Sequence, residues 1–567
     1  MIICGLKITH DGGVALVDDG RLVFSVEMEK LGNGKRYSSI RDLAVVPRLL
    51  GEFGYELHDV DRFVVDGWDG RISSTISVAN GGNAQSLEVA GYLEGGADSS
   101  MLTPFAGREL RIGTEVFPFE SYPHVANHVL GAWCTSPFSK TRESSFVLVW
   151  DGGMFPRLYH VNGTDASISS LGPLFYLVGH AYACSAEHFG PYKKVRTATS
   201  ENDLGIAGKL MAYIALGEPR EDLIRAFHDL YLDRFESDTE VARRYRGEIG
   251  GYGTKSEPSV AYLHDYFDEF ARNPTVRRYS EEDVLTSFHT FLERLLVERL
   301  RRAVAASTLG DTPNISVAGG CALNIKWNSA IRETGMFDEV WVPPFPNDSG
   351  AAIGAACCVL VQADPHAALE WDVYSGPQLD TRWTDDAGWQ RRLASPAAVA
   401  EILARGSPVV LLHGRAELGP RALGNRSILA PATEAGMKDR LNQIKNREYY
   451  RPVAPICLED RAPEVFAPGV PDPFMLFDHD VRPEWLNRIP AVVHLDGTSR
   501  LQTLRRDSPL PTAKVLIEYE ALTGIPLLCN TSANHLGCGF FPDVVSAARW
   551  GRVDHIWFDD TLLTRTQ

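Results

Sequence analysis

The stretch IICGLKITHDGGVALVDDGRLVFSVEME, residues 2–29, decides the fold of the first half of the chain. Two apolar segments flank the polar sequence THDGG. Asp19-Gly20 interrupts the second segment and favours a tight turn between antiparallel strands. We therefore predict three consecutive β-strands. Farther along, SSFVLVWDGG (144–153) and NISVAGGCALN (314–324) each predict a buried strand that ends in a glycine turn.

Helices alternate with these strands. Residues 280–307 carry one apolar stripe at helical spacing, with Ser280 as the predicted N-cap. The sequence WVPPFPNDSGAAIGAACCVLV (341–361) predicts a loop that leads into a helix of small residues. This alternation indicates an α/β class. The polar segment 364–390 follows, and we place a domain boundary in it, giving domains 1–365 and 366–567. The sequence GSPVVLLHGR (406–415) then begins a second strand-rich unit.

Length and charge limit the class of function. At about 100–200 residues per domain, 567 residues predict more than one domain. A net charge of −17 argues against binding to nucleic acid or to an acidic membrane. Nine cysteines without a C-x-x-C pair argue against a disulfide framework and a zinc ribbon. The N-terminus lacks a basic start and no apolar run approaches about 20 residues, so we expect a cytoplasmic protein without a membrane span.

A basic run stands out in this acidic chain. It covers LLHGRAELGPRALGNRSILA (411–430) and LNQIKNREYYRPVAP (441–455). Arginine presents a planar fork of donors that matches phosphate oxygens, and lysine adds a point charge. The run therefore predicts a site for a small phosphorylated substrate. The alternative is a solvated charged face, which is the commoner location of such residues. The basic residues are Arg415, Arg421, Arg426, Lys445, Arg447 and Arg451.

Two histidines and two acids predict a metal site. His124 and His128 are four residues apart, so a helix would place both on one face. Asp151 and Asp348 follow strand-like segments. A mixed shell of imidazole and carboxylate suits iron or zinc better than magnesium. The spacing alone is a weak signal, because chance pairs of this kind are common.

Three further motifs carry alternatives. Gly319 and Gly320, with Asn324 after them, predict either a close approach to nucleotide phosphate or a tight turn between strand and helix. Lys209 is either an adenylate contact or a helix-end cation. The pair His10-Asp11 in THDGG is either a proton acceptor for an alcohol or a turn histidine. The region 79–105 is a candidate acceptor-binding loop or a plain surface excursion.

Three segments carry a resemblance to a known family: GRAELGPRALGNRSILA (414–430), IKNREYYRPVAP (444–455) and LLCNTSANHLG (527–537). They resemble the O-carbamoyltransferases related to nodulation protein U, cephem carbamoyltransferase and nebramycin carbamoyltransferase. The resemblance implies an N-terminal actin-like domain of the TsaD type, followed by a C-terminal YrdC-like α/β domain. It further implies an ATP-dependent enzyme that makes carbamoyladenylate from carbamoyl phosphate and ATP, and then carbamoylates a hydroxyl group of a small-molecule natural product.

The resemblance also implies roles for individual residues. A divalent transition metal, most often Fe²⁺, would be held by His124, His128, Asp151 and Asp348. ATP with Mg²⁺ and carbamoyl phosphate would be bound by Lys209, Gly319, Gly320, Asn324, Arg421, Lys445, Arg451, Arg500 and Asn530. His10 and Asp11 would lie near the reacting carbamoyl group.

Three other functions stay open at this point, one of which, a sugar kinase, would leave the basic C-terminal run unexplained. A tRNA threonylcarbamoyl transferase would share the histidine pair, although the net charge and the joined C-terminal domain argue against it. A non-catalytic actin-like binding protein would not need the basic run. The sequence does not identify the acceptor, and it leaves a homodimer open.

Overall fold

The computed structural model describes residues 1–70, 72–94, 100–193, 204–240, 242–243, 258–309, 312–383 and 388–566. The chain divides into two compact units. Unit 1 comprises Met1–Val23 and Ser39–Glu370, and unit 2 comprises Phe24–Ser38 and Trp371–Gln567. The segment 24–38, which the predicted first domain includes, thus belongs to unit 2. As functional domains, 1–365 and 366–567 remain a prediction.

The first sheet of unit 1 is built around the N-terminal strand. Its order is β3-β2-β1-β4-β8-β7, with β1 antiparallel to β2 and parallel to β4. The three predicted strands are confirmed, and Asp19 and Gly20 both have positive φ at the predicted turn. The strands are β1 (Ile2–Lys7), β2 (Gly13–Asp18), β3 (Arg21–Glu27), β4 (Arg62–Asp66), β7 (Phe105–Ile112) and β8 (Glu115–Tyr122).

A separate hairpin occupies much of the region 79–105, for which the sequence leaves an acceptor-binding loop or a plain surface excursion open. Strands β5 (Ser73–Asn80) and β6 (Asn83–Ala90) pair over their full length, and Gly81 and Gly82 form the turn. Val78, Leu87 and Val89 are buried and hold strands there, so residues 79–90 are an ordered hairpin, and binding of an acceptor by this region stays a prediction. Residues 95–99 of the predicted loop lie outside the described residues.

The second sheet of unit 1 has the order β11-β10-β9-β12-β13. Strands β9 and β12, both predicted from sequence, are confirmed and run parallel to each other. Each ends in the glycine turn that the sequence predicts. The strands are β9 (Ser145–Val149), β10 (Arg157–Val161), β11 (Ile168–Pro173), β12 (Asn314–Ala318) and β13 (Glu339–Trp341).

The long helix of unit 1 begins where the sequence predicts. Ser280 Oγ accepts a hydrogen bond from the Asp283 backbone N–H, and three acidic residues fill the first turn, where the helix dipole favours negative charge. The helices of unit 1 are α1 (Val45–Glu52), α2 (His124–Cys134), α3 (Pro137–Thr141), α4 (His180–His188), α5 (Ile206–Tyr213), α6 (Glu221–Tyr231), α7 (Pro258–Arg272), α8 (Glu281–Ala306), α9 (Ile325–Glu333) and α10 (Ala351–Ala363).

Helices α2 and α10 pack on each other between the two sheets. Helix α10 contacts β1, β2 and β4, whereas α2 contacts β9 and β12. Small residues allow this close approach. A Cβ atom on Gly354 would lie 2.0 Å from the Asn127 carbonyl oxygen, and one on Gly5 would lie 2.1 Å from the Ala352 carbonyl oxygen. The small-residue composition of α10 thus sets the spacing between the elements that carry the histidine pair and Asp348.

Unit 2 contains an eight-stranded mixed sheet of order β14-β24-β23-β15-β16-β22-β17-β21 and a three-stranded sheet of order β18-β19-β20. Its helices are α11 (Pro396–Ala404), α12 (Gly436–Lys445), α13 (Ala462–Val465), α14 (Pro511–Thr523) and α15 (Val544–Trp550). Its strands are β14 (Trp389–Leu393), β15 (Val409–Leu412), β16 (Arg426–Ala430), β17 (Ala454–Leu458), β18 (Phe466–Ala467), β19 (His479–Val481), β20 (Thr498–Ser499), β21 (Gln502–Leu504), β22 (Leu527–Ser532), β23 (His555–Phe558) and β24 (Thr561–Arg565).

The two units together are a mixed α/β protein, which confirms the predicted class. Helices α11 and α14 pack together, and α14 also contacts β17 and β22. Among the residues that the structure describes, no helix is both long enough and apolar enough to cross a membrane.

Candidate metal centre and anion-binding site

The four residues assigned to a metal come together in unit 1. His124 and His128 lie on one face of α2, Asp151 follows β9, and Asp348 precedes α10. The Nε2 atoms of the two histidines are 3.1 Å apart, and each lies 3.4 Å from Oδ1 of Asp348. One ligand atom from each of the four residues lies within 4.8 Å of the other three, and all four residues are buried. Such separations suit ligands at about 2.0–2.2 Å from one ion.

A second layer of polar groups orients these side chains. Asp66 lies 2.9 Å from Nδ1 of His124, which turns Nε2 toward the cluster. Lys7 Nζ lies 2.8 Å from carboxylate oxygens of both Asp66 and Asp348. The Tyr92 hydroxyl donates to Asp151 at 2.6 Å. Lys7 and Asp66 end the parallel neighbours β1 and β4, so the sheet itself delivers both charges to this edge.

The charge of this centre favours a cation. The centre contains three buried carboxylates, from Asp66, Asp151 and Asp348, and the buried ammonium of Lys7 pairs with two of them, Asp66 and Asp348. Burial alone lowers the pKa of His124, but Asp66 and Asp348 outweigh burial and raise that pKa to about 10. The protonated imidazole thus supplies positive charge that a divalent ion could supply instead. Two imidazole nitrogens and two carboxylate oxygens fit iron or zinc.

His10 and Asp11 lie beside this centre. His10 Nε2 is 3.6 Å from Oδ2 of Asp348, and His10 Nδ1 is 2.9 Å from Asp11. The His10 ring also packs edge-on against Trp68, with centroids 5.1 Å apart. The His10 side chain is 29% exposed, so a small molecule can reach it. The structure therefore joins two motifs that the sequence analysis treated separately.

The glycine turn serves the same centre. The Gly320 backbone N–H donates to Oδ1 of Asp151 at 2.7 Å, and the Gly319 N–H donates to the Pro346 carbonyl at 2.7 Å. Gly319 has φ of 86°, and a Cβ atom there would lie 2.4 Å from the Trp150 carbonyl oxygen. Both amides are thus engaged within the protein. Asn324 caps α9 through its Oδ1, while its buried Nδ2 makes no hydrogen bond within the described residues.

Lys209 lies on α5, with Nζ 5.7 Å from the centroid of the Tyr192 ring. This half-buried cation is on a different element from the glycine turn. Nucleotide binding by Lys209, Gly319, Gly320 and Asn324 stays a prediction.

A cluster of cations forms in unit 2. We call the following set the arginine cluster: Arg36, Arg421, Lys445, Arg447, Arg451 and Arg500. Its arginines come from loops that lie far apart in sequence, and they are close enough to repel one another. The Nε atoms of Arg421, Arg447 and Arg500 are buried and make no hydrogen bond within the described residues. Buried donors without partners are rare in native proteins, so this arrangement suits a bound anion.

The pKa values of these arginines reflect the same burial and repulsion between cations. Burial, then Arg36 and Arg451, lower the pKa of Arg421 to about 10. Burial and Arg451 lower the pKa of Arg447 to about 9. Burial and Arg421 hold the pKa of Arg500 well below its usual range. A neighbouring anion would reverse these shifts, because it favours the protonated forms.

Lys445 and Asn530 are tied into the frame around this cluster. The Lys445 ammonium donates to the carbonyl oxygens of Ser532 and Asn534 at 2.7 and 2.9 Å. Asn530 Nδ2 donates to the Ala422 carbonyl and to Gln502 Oε1. These contacts anchor α12 and β22 next to the loop that carries Arg421.

Two arginines of the basic run have another role. Arg426 is buried and donates to the carbonyls of His413, Gly414 and Asn425. Arg415 donates to the Gly376 carbonyl at 2.9 Å. Both guanidinium groups hold loop backbone, so the run mixes structural arginines with the arginine cluster.

The segment 24–38 packs within unit 2 and contributes to the cluster. Lys30 Nζ donates to Glu27 at 2.7 Å and to the Gly419 carbonyl at 2.9 Å, and the Gly419 N–H donates to Glu27. These buried contacts fix the loop that carries Arg421. Arg36, from the same segment, lowers the pKa of Arg421 and of Lys445.

Comparison with known proteins identifies the family. The family model described as carbamoyltransferase N-terminus matches residues 2–357, and the model described as carbamoyltransferase C-terminus matches residues 400–565. The chain belongs to the carbamoyltransferase family. This carbamoyltransferase is 53% identical to nodulation protein U of Sinorhizobium fredii (strain NBRC 101917 / NGR234) over 99% of each chain. It is 32% identical to 3'-hydroxymethylcephem-O-carbamoyltransferase of Streptomyces clavuligerus, over 100% of this chain and 99% of the relative.

The predicted family is confirmed, and the protein is an enzyme that transfers carbamoyl groups. Among solved structures, the carbamoyltransferase is similar to the activator of the 2-hydroxyisocaproyl-CoA dehydratase from Clostridium difficile. That similarity covers 64% of this chain and 96% of the activator at 14% identity, with a TM-score of 0.33. It is too weak to decide the fold, so the actin-like and YrdC-like assignments remain predictions.

Sequence reasoning missed several residues of these sites. Lys7 and Asp66 are each the last residue of an apolar strand. A charged residue at the end of such a strand is the signal that would have identified them. Tyr92 follows a strand of unremarkable composition. Arg36 lies outside the basic run at 411–455 on which the sequence prediction of an anion site rests.

Proposed function

We propose that this carbamoyltransferase is ATP-dependent. It makes carbamoyladenylate from carbamoyl phosphate and ATP, and then transfers the carbamoyl group to a hydroxyl group of a small-molecule natural product. The observation that carries this proposal is the arginine cluster. Its cations are half-buried or buried and repel one another, and the Nε donors of Arg421, Arg447 and Arg500 make no hydrogen bond within the described residues. A small, highly charged anion such as carbamoyl phosphate would fit among these side chains, offset their repulsion and accept hydrogen bonds from those Nε donors.

The chemistry in unit 2 follows from that charge. Arg421, Arg451 and Arg500 would bind the phosphate group of carbamoyl phosphate and neutralise the charge that leaves with it. Loss of inorganic phosphate with uptake of one water gives carbamate. The carbamate oxygen then attacks the α-phosphorus of ATP, which gives carbamoyladenylate and pyrophosphate. Magnesium ions would accompany the nucleotide.

The metal centre of unit 1 supports the transfer step. A divalent metal such as Fe²⁺, held by His124, His128, Asp151 and Asp348, would supply Lewis acidity toward an oxygen of the transferring group. His10, partly exposed beside Asp348 and oriented by Asp11, would accept the proton of the attacking hydroxyl. The products would be an O-carbamate and AMP. Gly319, Gly320, Asn324 and Lys209 would contact the adenylate.

The hydroxyl acceptor is supported by the relatives. The name 3'-hydroxymethylcephem-O-carbamoyltransferase describes an enzyme that acts on an alcohol of a small molecule. We propose the same class of acceptor here, without nucleic acid or membrane as a partner.

A test separates the two half-reactions. The full chain is incubated with carbamoyl phosphate, ATP and Mg²⁺, and carbamoyladenylate is followed by mass spectrometry. Arg421→Ala should reduce its yield at least tenfold, because lost contacts to an anion commonly cost several kcal/mol. His128→Ala should leave the yield within about twofold and lower carbamoyl transfer to an alcohol. A normal adenylate yield from folded Arg421→Ala protein would overturn the proposed donor site.

A further inference from the structure

A second group of metal ligands lies in unit 1, on elements that the proposed reaction does not use. Cys184, His188 and His264 each offer one ligand atom, and these atoms lie within 4.8 Å of one another. We propose that they form a second metal site, which binds a zinc-class divalent ion.

Helix geometry brings these residues together. Cys184 and His188 are four residues apart on α4, so both side chains leave the same face. Helix α7 packs against α4 and carries His264. Nδ1 of His264 lies 3.3 Å from Sγ of Cys184 and 3.0 Å from Nε2 of His188. These separations are close to those between ligands of one ion at about 2.0–2.3 Å.

A carboxylate orients the imidazole ring of His188, one of the three ligands. Asp268 Oδ1 lies 3.2 Å from Nδ1 of His188. That contact favours the proton on Nδ1 and leaves the lone pair of Nε2 facing His264 and Cys184. Histidines that bind metals usually donate their second ring nitrogen to such an acceptor. Asp268 follows His264 by four residues, so α7 supplies both a ligand and the orienting group.

The donor set decides the class of ion. One thiolate and two imidazoles favour zinc over magnesium or calcium, which prefer oxygen ligands. Cys184 is only 4% exposed and the His188 side chain 7%, so the site lies at the edge of the core. Three ligands leave a tetrahedral ion one position for water or a further ligand. The alternative is a hydrogen-bonded trio without metal, and it makes a different spectroscopic prediction.

Cobalt distinguishes the two centres of unit 1. The metal-depleted full chain is titrated with Co²⁺ and followed by absorption. Thiolate ligands give a sulfur-to-cobalt charge-transfer band in the near ultraviolet. The centre at His124 and His128 contains only nitrogen and oxygen donors, so it cannot produce this band. We expect the band in the wild-type protein and in His128→Ala, and its loss in Cys184→Ala.

Two further variants sharpen the result. Asp268→Asn should weaken Co²⁺ binding about 10-fold or more while the band keeps its shape, since it removes an orienting group. Cys538→Ala, a control at a partly exposed cysteine outside the proposed site, should leave the band unchanged. The proposal fails if Co²⁺ binds without a charge-transfer band, or if the band survives in Cys184→Ala. Should Cys184→Ala not fold, zinc X-ray absorption of the His128→Ala protein decides, with a sulfur neighbour at about 2.3 Å expected.

Discussion

At the scale of single residues, chemically identical side chains have opposite roles in this enzyme. The Arg426 guanidinium donates hydrogen bonds to backbone carbonyls, which makes this residue part of the core. Arg500 lies close enough to other cations to be repelled by them, and its Nε has no hydrogen-bond partner among the described residues. The sequence around the two arginines does not reveal this difference, because it depends on which loops converge.

Substitution of these two arginines should therefore have opposite effects. Arg426→Met should lower the free energy of unfolding by about 3 kcal/mol or more, because it leaves buried carbonyls without donors. Arg500→Met should leave it unchanged or raise it, because it relieves repulsion between buried cations. Denaturant unfolding measures both.

The same pair of variants tests ligand binding. Phosphate at about 100 times its dissociation constant should stabilise the wild-type chain by about 2.7 kcal/mol. Arg500→Met should lose most of that gain. An Arg500→Met variant that is destabilised without phosphate and still stabilised by it would contradict an anion-binding role.

In the metal centre, Lys7 is the residue whose charge balances the buried carboxylates. Lys7→Met leaves Asp66 and Asp348 without their shared ammonium, and breaking a buried pair commonly costs about 3–5 kcal/mol. We expect that loss in metal-free protein, with partial recovery when Fe²⁺ or Zn²⁺ is added. Lys140→Met, at an exposed lysine on α3, should change stability by about 0.5 kcal/mol or less. Equal stability of the two variants would contradict the charge balance described for this centre.

At the scale of elements, the position of the ligands depends on how closely α2 and α10 pack. Helix α2 carries both histidines, and Asp348 stands at the entrance to α10. The glycine at 354 lets the helices meet at the Asn127 carbonyl. In the sequence, the only sign of this close spacing between α2 and α10 is a run of small residues.

A methyl group should disturb that packing. Gly354→Ala places Cβ about 2.0 Å from a carbonyl oxygen, so we expect a stability loss of about 1–3 kcal/mol together with weaker metal binding. Gly51→Ala on α1 is the matched control. Apart from its chain neighbours and the backbone of its own helix, no described atom lies within 4 Å of the added Cβ there, and the substitution should stabilise by up to about 1 kcal/mol. Thermal unfolding and metal analysis of both variants would show the contrast, and an unaffected Gly354→Ala would contradict it.

Sequence patterns were sufficient for several of these elements. The strands at the N-terminus, the helix capped by Ser280 and the small-residue helix all follow local rules of turn, cap and periodicity. The hairpin at 73–90 was missed because its strands are polar on one face and separated by two glycines. The pattern of the glycine pair at 319–320 predicts either an approach to nucleotide phosphate or a tight turn, and only the structure shows that its amides bind Asp151 and Pro346. Which acceptor an amide meets is a tertiary property.

At the scale of the whole molecule, each unit gathers residues that are remote in sequence. In unit 1, the parallel pairing of β1 with β4 brings Lys7 to Asp66, and no local pattern encodes that pairing. In unit 2, the segment 24–38 adds Arg36 to arginines more than 380 positions later. The sequence supplied the residue types and their positions at the ends of elements. The contacts across elements required the structure.

The most direct measurement of the central claim is the equilibrium binding of carbamoyl phosphate to the full chain by calorimetry. We predict saturable binding to the wild-type protein and at least tenfold weaker binding to Arg500→Met. Arg382→Ala removes one exposed positive charge from the same unit, and it should bind as the wild type does. Equal affinity of the wild type and Arg500→Met, or an equal loss in Arg382→Ala, would contradict the assignment of the arginine cluster as the donor site.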